Sequence, residues 1–132
     1  MGIVTRYLAI WHNGVNVMGQ PVLPETPSLD EADAASAVVQ KTLNRAELSK
    51  IKDKVEHIDF INPERHPHMT ICLVTMINGF VLVGKSAPAD PANYNEELGY
   101  RFSFEDALRQ AWPLEAYLIR ERLTAEAEGP VD

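Results

Sequence analysis

The clearest pattern of hydrophobic and polar positions lies between residues 69 and 86. Two runs rich in β-branched residues, 69–77 and 80–86, flank the pair Asn78 and Gly79. An Asn-Gly pair between two such runs is typical of a β-hairpin with a two-residue type I′ turn. This turn predicts four cross-strand pairs on one face of the hairpin: Ile77 with Phe80, Thr75 with Leu82, Leu73 with Gly84, and Ile71 with Ser86.

Both faces of this predicted hairpin are apolar, because the opposite face carries Cys72, Val74, Met76, Val81 and Val83. An antiparallel hairpin that is covered on one side only should alternate apolar with polar residues. We therefore expect the chain's own helices to cover one face and a second copy of the chain to cover the other, which predicts a homo-oligomer. The alternative is that the chain's own helices cover both faces.

Helical periodicity precedes the hairpin. Ser28 and Glu31 form a capping-box pattern, and the apolar residues that follow recur at helical spacing, which predicts a helix over residues 29–42. Asn44 and Glu47 repeat the capping pattern. A narrow apolar stripe among charged residues then predicts a second, amphipathic helix. The stripe consists of Leu48, Ile51, Val55 and Ile58.

A further helical region follows the hairpin. Asp90 can cap a helix and Pro91 suits the first helical position, so we expect a helix to begin there. Pro113 should kink or interrupt this helix, which then resumes towards Leu123. Six residues of the region are predicted to face the core: Tyr94, Leu98, Phe102, Leu108, Ala111 and Trp112.

Residues 1–27 form an N-terminal extension. Within it, residues 7–17 have the form of a short hairpin around an Asn-Gly pair, and a loop rich in proline and glycine follows. Together these patterns predict a single domain over residues 1–132 with an α+β fold. Its core, residues 28–126, consists of a central antiparallel β-hairpin packed with three to four helices.

Composition excludes several classes of function. The net charge of −7 argues against a general binder of DNA or RNA, which needs many cations to neutralise phosphates. A small nucleotide is compatible with this charge, since two or three arginines can hold a phosphate inside an acidic protein. The sequence shows no long apolar run and no signal-peptide pattern, so we expect an intracellular protein without a membrane span. The single cysteine, Cys72, excludes an intrachain disulfide.

No catalytic motif is evident in the sequence, and no cofactor is predicted. A Gly-x-Ser-x-Gly elbow, a Gly-x-Gly-x-x-Gly loop and a P-loop lysine signature are all missing. A binding protein is therefore favoured over an enzyme. The alternative is an enzyme that uses an acid/base pair drawn from four acidic residues: Asp90, Glu96, Glu97 and Asp106.

A metal site is not predicted either. His66, Pro67 and His68, with Cys72 four residues further on, are the one cluster that could suggest a metal. No carboxylate or additional histidine lies at ligand spacing from them, and a pair of loop histidines is more often found on the surface.

Three positions conflict with the local structure that is predicted for them. Arg45 lies in the first turn of its predicted helix, where the positive end of the helix dipole disfavours a cation, and a bound anion could relieve this conflict. Gly84 and Gly99 interrupt a strand and a helix. Such glycines are explained by the close approach of a ligand, or by packing between subunits or between a helix and a strand.

Four residues near the end of the hairpin offer the groups that a nucleotide needs. They supply a hydroxyl, an amide for a base edge, a flat aromatic ring for stacking and a guanidinium for a phosphate. These residues are Ser86, Asn93, Tyr94 and Arg101. The alternative for Tyr94 is a place in the hydrophobic core.

An ordered set of residues from about 69 to 123 resembles the signature of a family of small tailed-phage proteins, one that is similar to the anti-Thoeris sponge proteins. The set consists of Asn78-Gly79-Phe80, Gly84, Ser86-Ala87, Pro91, Asn93-Tyr94, Glu97, Gly99, Arg101, Ala107, Trp112-Pro113-Leu114-Glu115 and Tyr117-Leu118. The segment around Arg45 is similar to the upstream part of the family, whereas the first 40 residues are not covered.

The resemblance implies that the protein acts in the cytoplasm of an infected bacterium. Such sponge proteins bind a cyclic ADP-ribose variant or a cyclic oligonucleotide without degrading it, and they assemble as dimers or larger oligomers such as hexamers. By resemblance, seven residues would form the ligand site: Arg45, Phe80, Ser86, Asn93, Tyr94, Arg101 and Asp106. An amide is expected at the position of Asp106, and an acid there would repel phosphate. Two alternatives are an acidic protein that inhibits a host protein and an enzyme that cleaves nucleotides.

Overall fold

The computed structural model describes the backbone of residues 3–6 and all of residues 22–129. Eight regular elements follow one another in this part of the chain, and one turn of 3-10 helix, Pro91–Asn93, joins the last strand to the third helix. The elements are β1 (Ile3–Arg6), α1 (Pro27–Val38), α2 (Leu48–Asp53), β2 (Val55–Pro63), β3 (Thr70–Met76), β4 (Val81–Ser86), α3 (Glu96–Arg109) and α4 (Ala111–Glu128).

The sheet is an antiparallel meander of β2, β3 and β4, and β1 pairs with the free edge of β2. The predicted hairpin is therefore present, as β3 and β4, but it forms one part of a larger sheet. The α+β class is confirmed, and four helices accompany the sheet.

The core lies between one face of the sheet and α3. Cys72 and Val74 of β3 are fully buried there, and Phe60 of β2 packs on Tyr100 of α3 with their ring centroids 4.4 Å apart. Burial of one large apolar side chain stabilises a fold by roughly 1.5–3 kcal/mol. The buried residues of α3 are Gly99, Tyr100, Ser103, Phe104, Glu105, Ala107 and Leu108.

Helix α3 approaches β4 closely at Gly84. A Cβ atom at this position would overlap the carbonyl oxygen of Ser103 and the backbone nitrogen of Ala107. Of the explanations that the sequence left open for Gly84, helix–strand packing is the one that the structure supports.

The predicted register of the hairpin is wrong by one residue. The turn contains three residues, because the Met76 N–H donates to the Phe80 carbonyl at 2.8 Å, and Gly79 adopts a φ of +89°. A three-residue loop that ends in a left-handed glycine is the next commonest hairpin connection after the two-residue turn.

This shift of one residue exchanges the faces of β4. Leu82 pairs with Val74 and Gly84 pairs with Cys72, so Leu82 and Gly84 face the core. Val81 and Val83 lie on the opposite face, where 47% and 52% of their surface is exposed.

The second predicted helix is largely wrong. Only Leu48–Asp53 is helical, and Val55 and Ile58, which were assigned to its stripe, belong to strand β2. Residues 57–62 alternate between outward and core-facing positions, and β2 pairs with strands on both sides. These pairings outweigh the helical spacing of four apolar residues.

Several predicted helix starts and core positions also need correction. Ser28 lies inside the first turn of α1 and donates to the buried Glu105, while Thr26 precedes the helix. Asp90 caps only the 3-10 turn. Leu98 and Phe102, which were predicted for the core, are 38% and 46% exposed.

Other expectations are confirmed or lie outside the described residues. The long helical region is interrupted close to Pro113, because α3 ends at Arg109 and α4 begins at Ala111.

The hairpin predicted over residues 7–17 falls in a part of the chain that the structure does not describe. Among the helices within residues 22–129, none combines the length and apolar content that a membrane span requires.

Substitution of Gly84 by alanine is expected to destabilise the fold. The added methyl group overlaps the backbone of α3, and overpacking of this kind costs about 2–3 kcal/mol. A matched control is Gly79→Asn, because Gly79 has open space around it and asparagine tolerates a positive φ at a cost of about 1 kcal/mol or less. Urea unfolding at pH 7 measures both variants, and equal losses of stability would contradict the close packing at Gly84.

Candidate functional site

A cleft of about 170 Å³ lies where the end of β4, the 3-10 turn and the start of α3 meet. We call it the Tyr94 cleft. It is lined by His68, Ser86, Ala87, Pro88, Asn93, Tyr94, Asn95, Leu98, Gly99 and Phe102.

Two side-chain caps shape the segment that carries Asn93 and Tyr94. The Asp90 carboxylate accepts the N–H of Ala92 at 2.9 Å, and the Asn95 side chain accepts the N–H of Leu98 at 2.9 Å. Tyr94, between these caps, has an extended backbone with φ −61° and ψ 133°. The Asp90 cap therefore begins the 3-10 turn and the Asn95 cap begins α3, and the two residues between these helical segments, Tyr94 and Asn95, are extended.

Asn62 of β2 links Tyr94 to the loop between β2 and β3. Its amide nitrogen lies 2.7 Å from the Met69 carbonyl oxygen and 3.4 Å from the Tyr94 hydroxyl. The His68 ring meets the Tyr94 ring edge-on, with centroids 5.4 Å apart. Asn62 is 3% exposed, so this link is buried and fixes the aromatic side of the cleft.

The chemistry of the cleft suits a flat heterocycle. Tyr94 and Phe102 offer aromatic rings, Asn93 and Asn95 offer amides, and Ser86 offers a hydroxyl. Aromatic rings stack on nucleic-acid bases, and amides can pair with a base edge. Ordinary ligand pockets measure about 300–1,000 Å³, so this cleft has room for a base but not for a whole nucleotide.

Four of the seven residues that were predicted to bind ligand lie in or beside this cleft. Ser86, Asn93 and Tyr94 line it directly. Arg101 lies next to it, since its guanidinium carbon is 5.4 Å from the centroid of the Phe102 ring. The Arg101 Nε is buried without a hydrogen-bond partner among the described residues, and a nitrogen of the same guanidinium is 3.9 Å from the Glu25 carboxylate.

Phe80 and Asp106 lie elsewhere in the chain. Phe80 precedes β4 and Ser86 ends it, so the strand separates them by about 20 Å. The Asp106 carboxylate accepts the backbone N–H of Lys85 at 2.9 Å and does not line the cleft.

Arg45 is held by neighbouring side chains. It precedes α2, which begins at Leu48, so the predicted conflict with the helix dipole does not arise. Its guanidinium donates to the Asp33 carboxylate at 2.7 Å, to Ser36 at 2.8 Å and to Gln40 at 2.7 Å. Within one chain, Arg45 therefore lies apart from the Tyr94 cleft.

The ion pair of Arg45 also determines the protonation of its partner. Burial raises the pKa of Asp33. The hydrogen bonds from the Leu48 N–H and from Arg45, together with the charges of Arg45 and Lys52, outweigh this effect and hold the pKa of Asp33 below its usual value. Asp33 is thus a charged acceptor that joins α1 to the start of α2.

The sequence did not indicate three residues that shape the cleft. Phe102 was assigned to the core, His68 was considered only as a metal ligand, and Asn62 was placed in no element. Phe102 is separated from Leu98 by one helical turn on the exposed side of α3, which is a signal of a shared surface. For Asn62, which acts from a distant strand, the sequence holds no local signal.

The groups considered for catalysis or for metal binding are not gathered in the cleft. Burial, and to a smaller extent the charge of Asp59, raise the pKa of the Cys72 thiol well above its usual value, so this thiol is a poor nucleophile. Glu96 accepts the hydroxyl of Tyr100 at 2.7 Å. Within the described residues, no three His, Cys, Asp or Glu side chains are grouped as metal ligands would be.

Comparison with known proteins identifies a phage protein family. A family model described as phage protein (N4 Gp49/phage Sf6 gene 66) family matches residues 32–123, a range that includes every residue lining the Tyr94 cleft. No curated protein and no solved structure matches the chain.

Replacement of Arg45 by methionine is expected to lower stability by about 1–2 kcal/mol at pH 7, because the Asp33 carboxylate loses its charged donor. The pKa of Asp33 is lowered in the folded state, so its contribution is present above the unfolded value near 3.8 and is lost as the pH falls through the folded value. The difference between wild type and Arg45→Met should therefore shrink between pH 5 and pH 2.

Urea unfolding across this pH range measures that difference. Arg120→Met is the matched control, since Arg120 is exposed on α4 and the change should be nearly neutral at every pH. A difference for Arg45→Met that stays constant down to pH 2 would contradict the charge coupling to Asp33.

Proposed function

The chain belongs to the phage protein (N4 Gp49/phage Sf6 gene 66) family, and from that premise we propose that it is an anti-defence protein that sequesters a cyclic nucleotide signal of the bacterial host. The signal is a cyclic ADP-ribose variant or a cyclic oligonucleotide. The protein holds it without cleaving it, in the cytoplasm of the infected cell.

The observation that carries this proposal is the composition of the Tyr94 cleft. The chain has 19 acidic residues against 12 Lys and Arg. Of the described residues, no acidic one lines the cleft, although aromatic rings, two asparagines and a serine do. A cleft without carboxylates in an acidic protein avoids repelling an anionic ligand, and the aromatic rings favour a ligand that contains a base.

The residues of the cleft can be assigned roles in base recognition. Tyr94 stacks on the adenine ring, Asn93 pairs with a base edge, and Ser86 provides a further hydrogen bond. Arg101, next to Phe102, lies close enough to contribute a cation. Phe80, Arg45 and Asp106 lie outside the Tyr94 cleft of their own chain. They could contact a ligand in this cleft only if a second copy of the chain brought its own Phe80, Arg45 or Asp106 there.

Cleavage by a pair of carboxylates is not supported by the positions of the acidic residues. General acid–base catalysis needs a group within hydrogen-bond reach of the reacting atom. Neither Asp90 nor Asp106 lines the cleft, and each accepts a backbone N–H instead. Asp90 and Asp106 thus have structural contacts.

The protein is proposed to act as a homo-oligomer. Helix α3 covers one face of the sheet, whereas Val81 and Val83 are about half exposed on the other, beside the half-buried Ile71 and Leu73 of β3. A row of apolar residues on a sheet face is typical of a surface that meets another chain. A second copy placed there would cover the row.

A second candidate function is the binding of a host protein. An apolar groove of about 350 Å³, distinct from the Tyr94 cleft, lies beside Phe80 and α4. Tyr117 and Leu118 in this groove are 65% and 56% exposed. Exposed aromatic residues are enriched at protein interfaces, so this groove is the feature that favours the alternative.

Calorimetry with cyclic ADP-ribose variants and with cyclic di- and trinucleotides tests the capture of a nucleotide. We expect tight binding to the wild-type protein, about 10- to 100-fold weaker binding to Tyr94→Ala, and nearly unchanged binding to Tyr94→Phe, because stacking on an aromatic residue contributes about 1–3 kcal/mol per base. Tyr117→Ala is the matched control, since Tyr117 lies outside the cleft.

The fate of the bound nucleotide separates the hypotheses. Ligand released by heat should be recovered intact by chromatography, whereas an altered product would support an enzyme that cleaves nucleotides. The absence of binding to every nucleotide, together with a stoichiometric protein partner from host lysate, would support the host-protein hypothesis instead.

Sedimentation of the purified protein tests the oligomer. The wild type should sediment with at least twice the 14.7 kDa mass of one chain. Val83→Lys should lower the sedimenting mass towards that of a single chain, because the charge of a lysine in the apolar row cannot be buried without a partner. Val38→Lys is the control, since Val38 is 85% exposed on α1. A wild-type protein that sediments as a single chain refutes this part of the proposal.

A further inference from the structure

A second cavity, of about 390 Å³, adjoins the Tyr94 cleft. The two cavities share His68, Ala87 and Pro88 as a common wall, and the second one extends to Arg65 and His66. We call this second cavity the Arg65 cavity. The Tyr94 cleft alone is too small for a nucleotide, but the two cavities together reach the size of an ordinary ligand pocket.

The charge lining this pair of cavities is positive or neutral. Among the described residues, no Asp or Glu lines either of them. Two further cavities in the described part of the chain differ, because Glu115 lines both and Glu47 lines one. In a chain with a net charge of −7, the Tyr94 cleft and the Arg65 cavity thus form a groove without a carboxylate that would repel an anion.

The guanidinium of Arg65 is available for a ligand. Arg65 is exposed, and within residues 22–129 it takes part in no ion pair or hydrogen bond. Arg45, in contrast, is bound to Asp33, Ser36 and Gln40. A free guanidinium can present two parallel N–H donors to a phosphate, whereas one that already has partners must first lose them.

The loop that carries Arg65 is fixed by its own backbone. The His66 N–H donates to the Pro63 carbonyl at 2.9 Å, and the Met69 N–H donates to the His66 carbonyl at 3.0 Å. Asn62 bonds to the Met69 carbonyl and lies next to the Tyr94 hydroxyl, so one buried amide sets the distance between the loop and the base-binding ring. Such fixed geometry reduces the entropy lost on binding.

We propose that Arg65, together with His66 and His68, forms an anion subsite that binds the phosphates of a nucleotide whose base lies in the Tyr94 cleft. This inference rests on the proposed function and adds the residues that recognise the phosphates. Arg65 supplies a permanent charge, while each imidazole supplies an N–H donor. His68 lies between the two subsites, because it lines both cavities and contacts Tyr94.

The subsite explains the His-Pro-His sequence without a metal. Only two histidines lie in the loop, and a metal would need further ligands, whereas a phosphate oxygen needs only donors. Pro67 between the two histidines restricts the backbone of the loop.

Titration calorimetry of Arg65→Gln with cyclic ADP-ribose, with a cyclic dinucleotide and with uncharged adenosine tests the inference. We expect about 10- to 100-fold weaker binding of the phosphate-bearing probe that the wild type binds, since a charge-assisted contact to phosphate is lost. Where adenosine binding is measurable, it should stay within about 2-fold of wild type. Arg120→Gln is the matched control, because it removes an equal charge from an exposed site on α4 that lines neither the Tyr94 cleft nor the Arg65 cavity.

The outcomes distinguish failure of the anion subsite from failure of the proposed function. If the wild type binds a phosphate-bearing probe and Arg65→Gln binds it as tightly as Arg120→Gln does, the anion subsite is refuted while the proposed function stands. If Arg65→Gln weakens the binding of adenosine as much as the binding of the phosphate-bearing probe, Arg65 acts on the fold of the loop. The anion subsite is then also refuted. If the wild type binds no probe, the proposed function fails and the inference fails with it.

Discussion

The backbone of α3 reaches the backbone of β4 at Gly84, where the missing side chain lets the Ser103 carbonyl and the Ala107 amide lie against the strand. This contact fixes both the height and the direction of α3 on the sheet. The first turn of α3 must then lie near Ser86, at the end of β4, and the chain between them has to close a short gap. The side chains of Asp90 and Asn95 cap the 3-10 turn and α3 in this connecting segment. The Tyr94 cleft lies between this segment, the end of β4 and the start of α3.

The sequence predicts the parts of this arrangement that depend on neighbouring residues. The two runs around Asn78 and Gly79 become strands, and Ser86, Asn93 and Tyr94 meet in one cleft because only a few residues separate them. The register was wrong, since an Asn-Gly pair suits a two-residue turn and also a three-residue turn that ends in glycine. The strand at 55–63 was missed because Leu48, Ile51, Val55 and Ile58 have helical spacing, although pairing with β1 and β3 decides the conformation.

The remainder of the site could not be predicted because it depends on contacts between distant segments. Asn62 comes from β2, and its neighbours Met69 and Tyr94 are brought to it by the sheet and by α3. Arg45 looked like a free cation in the sequence, yet Asp33, twelve residues earlier, binds it once α1 and α2 are in place. Arg65 has no such partner in the described residues. Which arginine is available to a ligand is therefore a property of the fold and not of the sequence pattern.

The proposed capture of a nucleotide differs from turnover in what it requires of the site. An enzyme has to bind the transition state more strongly than the substrate, which requires groups that interact with charge as it develops. The Tyr94 cleft offers rings, amides, a hydroxyl and the His68 imidazole, and the acidic residues considered for catalysis do not line it. The net negative charge of the chain repels a nucleotide, but at physiological salt this repulsion is screened beyond about 8 Å. For the proposed ligand, contacts inside the groove then determine the affinity, and retention of that ligand requires no group that reacts with it.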